Sequence, residues 1–178
     1  PVDFLDLSAA LPLHLLRLIS PSQPVGSFSY SRGLGPAVHA KIVRDEPTAS
    51  NWILGILEHS YATLDGALFW RMIRALRQGD EAAFLAANAW LAAARESREL
   101  ELEDRRMSES LLRLLVDLDV GRARAHANTR LSYPASFAIA CDHWDVSPAT
   151  ALRGLMWSVV EGQVAAATRL VPLGHTSS

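Results

Sequence analysis

Apolar positions in this chain recur at three- and four-residue spacing, and that period predicts helices along most of its length. The first is expected over about Leu11–Ser20, with Pro12 suited to its first turn. Leu15, Leu16, Leu18 and Ile19 make it apolar on most sides, which predicts burial. Residues 21–27 are a run of Pro, Ser, Gln, Val and Gly that predicts a loop. A short helical piece is expected within 29–40, weakened by Gly33, Gly35 and Pro36. Trp52, Ile53, Ile56, Leu57, Tyr61 and Leu64 then mark a long helix opened by Pro47. Asp65-Gly66 is expected to kink or break it. Phe69, Met72, Ile73 and Leu76 continue the stripe to a stop at Gly79, and Asp80 is a good N-cap for the next helix.

Further along, charges of both signs interleave from Arg95 to Arg106, the pattern of a solvated or interface face. Leu100, Met107, Leu111, Leu114, Leu115 and Leu118 keep an apolar stripe beneath it. Residues 119–132 have the least periodicity and are expected to form a mobile loop. Pro134 starts another helix, and Ser147-Pro148 is the most specific helix start in the chain. The helix it opens is expected to reach about Leu170.

Composition reinforces the helical reading. Of 178 residues, 27 are Ala and 27 Leu, against 11 Val and 6 Ile. Ala and Leu favour helix and β-branched residues favour strand, so an all-β fold is nearly excluded and a parallel α/β sheet is disfavoured. One domain spanning 1–178 is expected. Apolar residues make up 49% and leave surface to spare for self-association or a partner. Net charge is −2, and 16 of the 17 basic residues are Arg, which gives no basic footprint for nucleic acid. A single cysteine, Cys141, precludes an intramolecular disulfide and points to a reducing cytoplasm. No stretch approaches the roughly 18 apolar residues of a membrane span.

Candidate chemistry is sparse. The six histidines are scattered, and Cys141 and His143 sit two apart, about 200° around a helix. No H-E-x-x-H, C-x-x-C or E-x-x-H spacing occurs, so no metal site is expected. Gly33-Leu34-Gly35 lacks the Lys and preceding strand of a phosphate loop. The hydroxyl cluster Ser27-Phe28-Ser29-Tyr30-Ser31 could hold a nucleophile, but no G-x-S-x-G elbow surrounds it. Turn formation and helix capping by the hydroxyls account for it better. Two alternatives stay open on residue chemistry: a helical enzyme using Ser27–Tyr30, and a ligand-binding bundle.

Three segments carry a more specific pattern. Leu15 through Leu34 resembles the N-terminal signature of the urease accessory protein F family. Asn88–Leu91, Arg95–Leu100 and Glu103–Arg105 are similar to its central helix motif, and Arg169–Thr176 to its signature after the last long helix. The resemblance implies an all-α, non-catalytic, homodimeric protein of about seven to ten helices. It implies a role in urease maturation, binding the D or H scaffold protein and linking the accessory GTPase to apo-urease. Nickel and GTP would be handled by partners, with no cofactor bound directly. Partner contacts would fall at Ser27, Tyr30, Gly33, Gly35, Arg95, Glu96, Glu99, Arg169, Pro172, Gly174, His175 and Thr176. Gly35 stands where the family usually has an acidic residue tied to GTPase control, Arg169 where Lys is usual and His175 where Gln is usual. A C-terminal tail used in scaffold docking is expected to be missing. From the residues alone, Arg169 also suits a helix C-terminus, Pro172 and Gly174 helix termination, Tyr30 packing, and Arg95 and Glu96 exposed ion pairs with each other or with neighbours.

Overall fold

Capping residues set most helix limits in the computed structural model, which describes residues 13–20 and 31–171. Helix α1 is Leu13–Ile19 and α2 is Leu34–His39. Helix α3, Glu46–Ile56, begins in a capping box: Asp45 accepts from the Thr48 N–H, and the Thr48 hydroxyl caps Asp45 in return. Helix α4, Gly66–Gln78, stops at Gly79, whose φ of 71° is the left-handed conformation glycine adopts without strain. Asp80 caps α5, Glu81–Ala93. Ser97 caps α6, Arg98–Asp117, and a short α7 spans Gly121–Ala125. Ser132 with Pro134 opens α8, Tyr133–His143; Ser147 with Pro148 opens α9, Pro148–Leu170.

The expected break at Asp65-Gly66 is absent. Residues Leu57–Asp65 form a π-helical segment that joins α3 to α4 in one continuous rod. Gly66 stays in the right-handed helical region, and Asp65 is held by an ion pair rather than ending a helix. Each turn closed i→i+5 takes one more residue than an α-turn, so the segment re-aims the apolar stripe between its halves. Counted with that rod as one, the described residues make eight helices and no strand, an all-α fold.

At the centre lies α8, with Tyr133 through Cys141 all buried. It packs against α4, α6, α7 and α9, so no side of it needs polar residues. Phe69, Met72, Phe84, Met107, Leu111 and Phe137 fill the main core around it. Ser108 of α6 and Ser136 of α8 satisfy each other inside that core at 2.5 Å. A second cluster, Leu34, Ala37, Val43, Ala49, Ile53, Ala166, Ala167 and Val171, ties α2 and α3 to the end of α9.

Two further expectations change. Helix α1 buries only Leu15 and Leu18; Leu13 is 72% exposed and Leu16 also faces outward. The helix meets α9 along one stripe, and its His14 ring stacks on Trp144 just past the end of α8 at 4.8 Å. That stripe depends on Gly154, where a β-carbon would lie 2.7 Å from Leu15 Cδ1. Residues 119–132, expected as a mobile loop, contain α7 and bury Val120, Ala123, His126 and Leu131. Long-range polar contacts replace periodicity there. The buried Asn88 donates to Arg130 O at 3.0 Å and accepts from the Ser132 N–H at 2.8 Å. His126 Nε2 lies 2.7 Å from Glu81 Oε1.

Candidate functional site

Two neighbouring residues at the end of the first motif reach the other two motif helices. Ser31 offers its carbonyl to Gln163 Nε2 of α9 at 3.2 Å. Arg32 turns the other way, donating to the Tyr61 hydroxyl at 2.5 Å and to Met107 Sδ of α6 at 3.5 Å. Its guanidinium also lies 5.0 Å from the centre of the Tyr61 ring. Arg32 adopts φ 45° and Gly33 φ 88°, a left-handed pair that swings the chain into α2. A side chain at Gly33 would be strained there.

Beside Arg32 sits a buried ionic junction. Arg95, in the turn between α5 and α6, grips Asp65 with both prongs, Nη2 to Oδ1 at 2.8 Å and Nη1 to Oδ2 at 3.1 Å. Nη2 also donates to Asp104 Oδ1 at 3.1 Å. Asp65 is 1% exposed and Asp104 8%. Buried carboxylates need such partners, because an isolated charge in a protein interior costs several kcal/mol (on the order of the desolvation penalty per ion). The π segment ends on Asp65, so the non-α stretch and the ion pair coincide.

Protonation states follow from this packing. Burial opposes the charge on Arg95, but Asp104 and Asp65 outweigh it and hold its pKa above the ordinary arginine value. Arg32 behaves alike: burial works against its charge, and Tyr61 and Asp104 more than offset it. Burial raises the Tyr61 phenol, with Arg32 pulling the other way, and so keeps it protonated at neutral pH. Burial likewise raises Glu103, whose carboxylate meets the Arg32 charge and backbone N–H.

Between these groups is a cavity of about 90 Å³ lined by Arg32, Ser60, Tyr61, Arg95, Glu103 and Asp104, with Glu96 at its edge. Arg95 Nε and Glu103 Oε2 are buried there without a hydrogen-bond partner among the described residues. The lining holds the Ser60 hydroxyl and the Glu103 and Asp104 carboxylates, and neither histidine nor cysteine. Among the described residues no group of three His, Cys, Asp or Glu side chains could hold a metal ion, and no helix is long and apolar enough to cross a membrane. The contacts of Ser31 and Arg32 hold the start of residues 31–35 against α9 and α6.

The residues expected at partner contacts divide accordingly. Ser27, Tyr30, Pro172, Gly174, His175 and Thr176 lie outside the described residues. Gly33 and Gly35 sit at the start of α2, where the Gly35 N–H donates to Ser31 Oγ at 3.3 Å. Glu96 and Glu99 are exposed around the start of α6, and Arg169 is exposed in the last turn of α9. Arg95 does not make the exposed pair with Glu96 or its neighbours that the residues alone suggest; it pairs inside the junction, because Asp65 arrives from a helix 30 positions earlier. Sequence reasoning missed Asp65 as a site residue, although a lone carboxylate in an apolar helical stripe is a signal that a cation must reach it. It also passed over Arg32, Tyr61 and Gln163, whose partners are all distant in sequence.

Fold and site together define an all-α protein in which Arg95 and Asp104 of the central motif meet Asp65 at a buried ionic junction. The family model described as UreF matches residues 43–178. The chain belongs to the UreF family of urease accessory proteins, and its place is therefore in urease maturation, in an accessory rather than a catalytic role. It is 64% identical over 172 residues to Urease accessory protein UreF 2 of Brucella anthropi, covering 96% of this chain and 76% of that one. It is 38% identical over 164 residues to Urease accessory protein UreF of Alkalilimnicola ehrlichii, covering 92% and 72%. The Bifunctional urease accessory protein UreEF of Bordetella bronchiseptica is 40% identical over 174 residues, 96% of this chain and 40% of that protein.

Proposed function

We propose that this protein is a non-catalytic maturation chaperone that joins a scaffold accessory protein (D or H) and the accessory GTPase to apo-urease. In this reading it regulates GTP-dependent nickel insertion while binding neither nickel nor GTP itself. It works in the cytoplasm as a homodimer. Family membership supports the setting, and the fused UreEF relative fits a protein that operates beside other accessory components. The observation that carries the reading is the junction at Ser31 and Arg32, which locks the first motif against the helices of the other two. A chain segment tied at Ser31 and Arg32 to both α6 and α9 suits a surface presented to large partners better than a substrate cleft.

Co-purification tests it. Tagged protein with its natural C-terminus, in a lysate containing the scaffold and the GTPase, is expected to retain both. Loss of both from the eluate, with the tagged protein folded, contradicts the reading.

A further inference from the structure

We propose that the open face of the α4–α5 hairpin docks an acidic amphipathic helix of another protein. The two helices pack closely and are joined by Gly79 and Asp80 alone. A groove of about 460 Å³ runs along their outer side, bordered by Trp70, Arg71, Arg74, Gln78 and Trp90 over a floor of alanines. Trp90 is 60% exposed and Trp70 38%. Arg71 lies 5.6 Å from the centre of the Trp90 ring, which steadies the indole in the open. Trp and Arg are the residue types that dominate binding energy where partners meet.

The charges select the occupant. Residues 66–93 carry five ionisable charges: Arg71, Arg74, Arg77, Asp80 and Glu81. Arg77 is engaged by Asp142 and Asp145, Asp80 caps α5, and Glu81 pairs with Arg122 and His126. Arg71 and Arg74 have no carboxylate partner among the described residues, so the groove presents two cations and no anion. A second copy placed by two-fold symmetry would set these arginines against their own kind, which opposes a homodimer here. A helix with an apolar stripe for the tryptophans and carboxylates beside it complements both features. The inference rests on this face alone and is independent of the scaffold and GTPase reading.

The test is fluorescence anisotropy with a labelled amphipathic helical peptide bearing a Leu face flanked by Glu, and a twin with Lys for every Glu. The Glu peptide is expected to bind, more weakly as salt rises. Arg71→Glu with Arg74→Glu, and separately Trp90→Ala, are each expected to weaken it at least about tenfold. Both variants change exposed side chains, so circular dichroism and melting temperature should match the parent. The proposal is overturned if the Glu peptide does not bind, if the Lys twin binds equally, or if folded variants bind like the parent. A concentration-dependent dimer abolished by the arginine reversals also overturns it, since a second copy would then cover the face.

Discussion

Arg95 and Asp65 form a two-pronged ion pair at 2.8 and 3.1 Å across 30 positions of sequence. The pair joins the turn before α6 to the last residue of the π segment. Asp104 supplies a second carboxylate to the same guanidinium. The irregular helix and the central motif thereby share one largely enclosed cation.

Removing that cation leaves two buried carboxylates unpaired. Arg95→Ala is expected to destabilise the fold by about 3–5 kcal/mol. For a chain of this size that lowers the melting temperature by about 6–20 °C. Arg95→Lys keeps the charge, loses the fork and should fall between. A thermal melt by circular dichroism checks both, and a change within about 1 kcal/mol for Arg95→Ala would refute the junction's role.

Gly154→Ala brings a β-carbon into Leu15. Helix propensity alone would favour the change by up to about 1 kcal/mol. Overpacking costs about 1–3 kcal/mol, so a net loss is expected. In a Leu15→Ala background the same substitution should be neutral or stabilising. A double-mutant cycle by denaturant unfolding reads the coupling.

Alkaline pH should weaken the fold through buried neutral groups. Burial raises the Cys141 thiol above its ordinary 9.0, and lifts the Tyr133 phenol to about 12. For groups with a raised folded value, stability is fully present below the unfolded pKa and is lost as pH rises toward the folded one. Melting temperature is therefore expected to fall above about pH 9, where the unfolded thiol ionises. Cys141→Ala should make that decline shallower. An identical pH profile in the variant would contradict the assignment.

Gly35→Glu introduces the acidic residue that the family resemblance leads one to expect at this position. Its β-carbon would come 3.2 Å from Ser31 Oγ, a hydroxyl that can rotate aside. The new carboxylate would stand in the first turn of α2, where the helix dipole favours it. Stability should stay within about 1 kcal/mol of the parent, while urease activation changes. Equal urease activity and equal GTP turnover in both variants would count against a control role at this position.

The legible parts of the fold are those written in local chemistry. Asp80, Ser147 with Pro148, and Gly79 announce helix ends because capping uses residues a few positions apart. The π segment is not announced, since Asp65-Gly66 reads locally as a break and only its distant partner Arg95 explains why the helix continues. Residues 119–132 were obscured for the same reason: their order comes from Asn88 and Glu81, outside the stretch. At the candidate site the motif residues Gly33, Gly35 and Arg95 were visible by resemblance. Asp65, Tyr61 and Gln163 were not, because burial and long-range geometry, rather than composition, bring them to Arg95, Arg32 and Ser31.

The most direct measurement is urease activity in a reconstituted mixture of apo-urease, scaffold protein, accessory GTPase, nickel and GTP, with and without this protein. The account predicts that activity appears only when the folded protein is present. It also predicts that the protein alone, given GTP, hydrolyses none. Full activation without it, or GTP turnover by the isolated protein, would contradict the account.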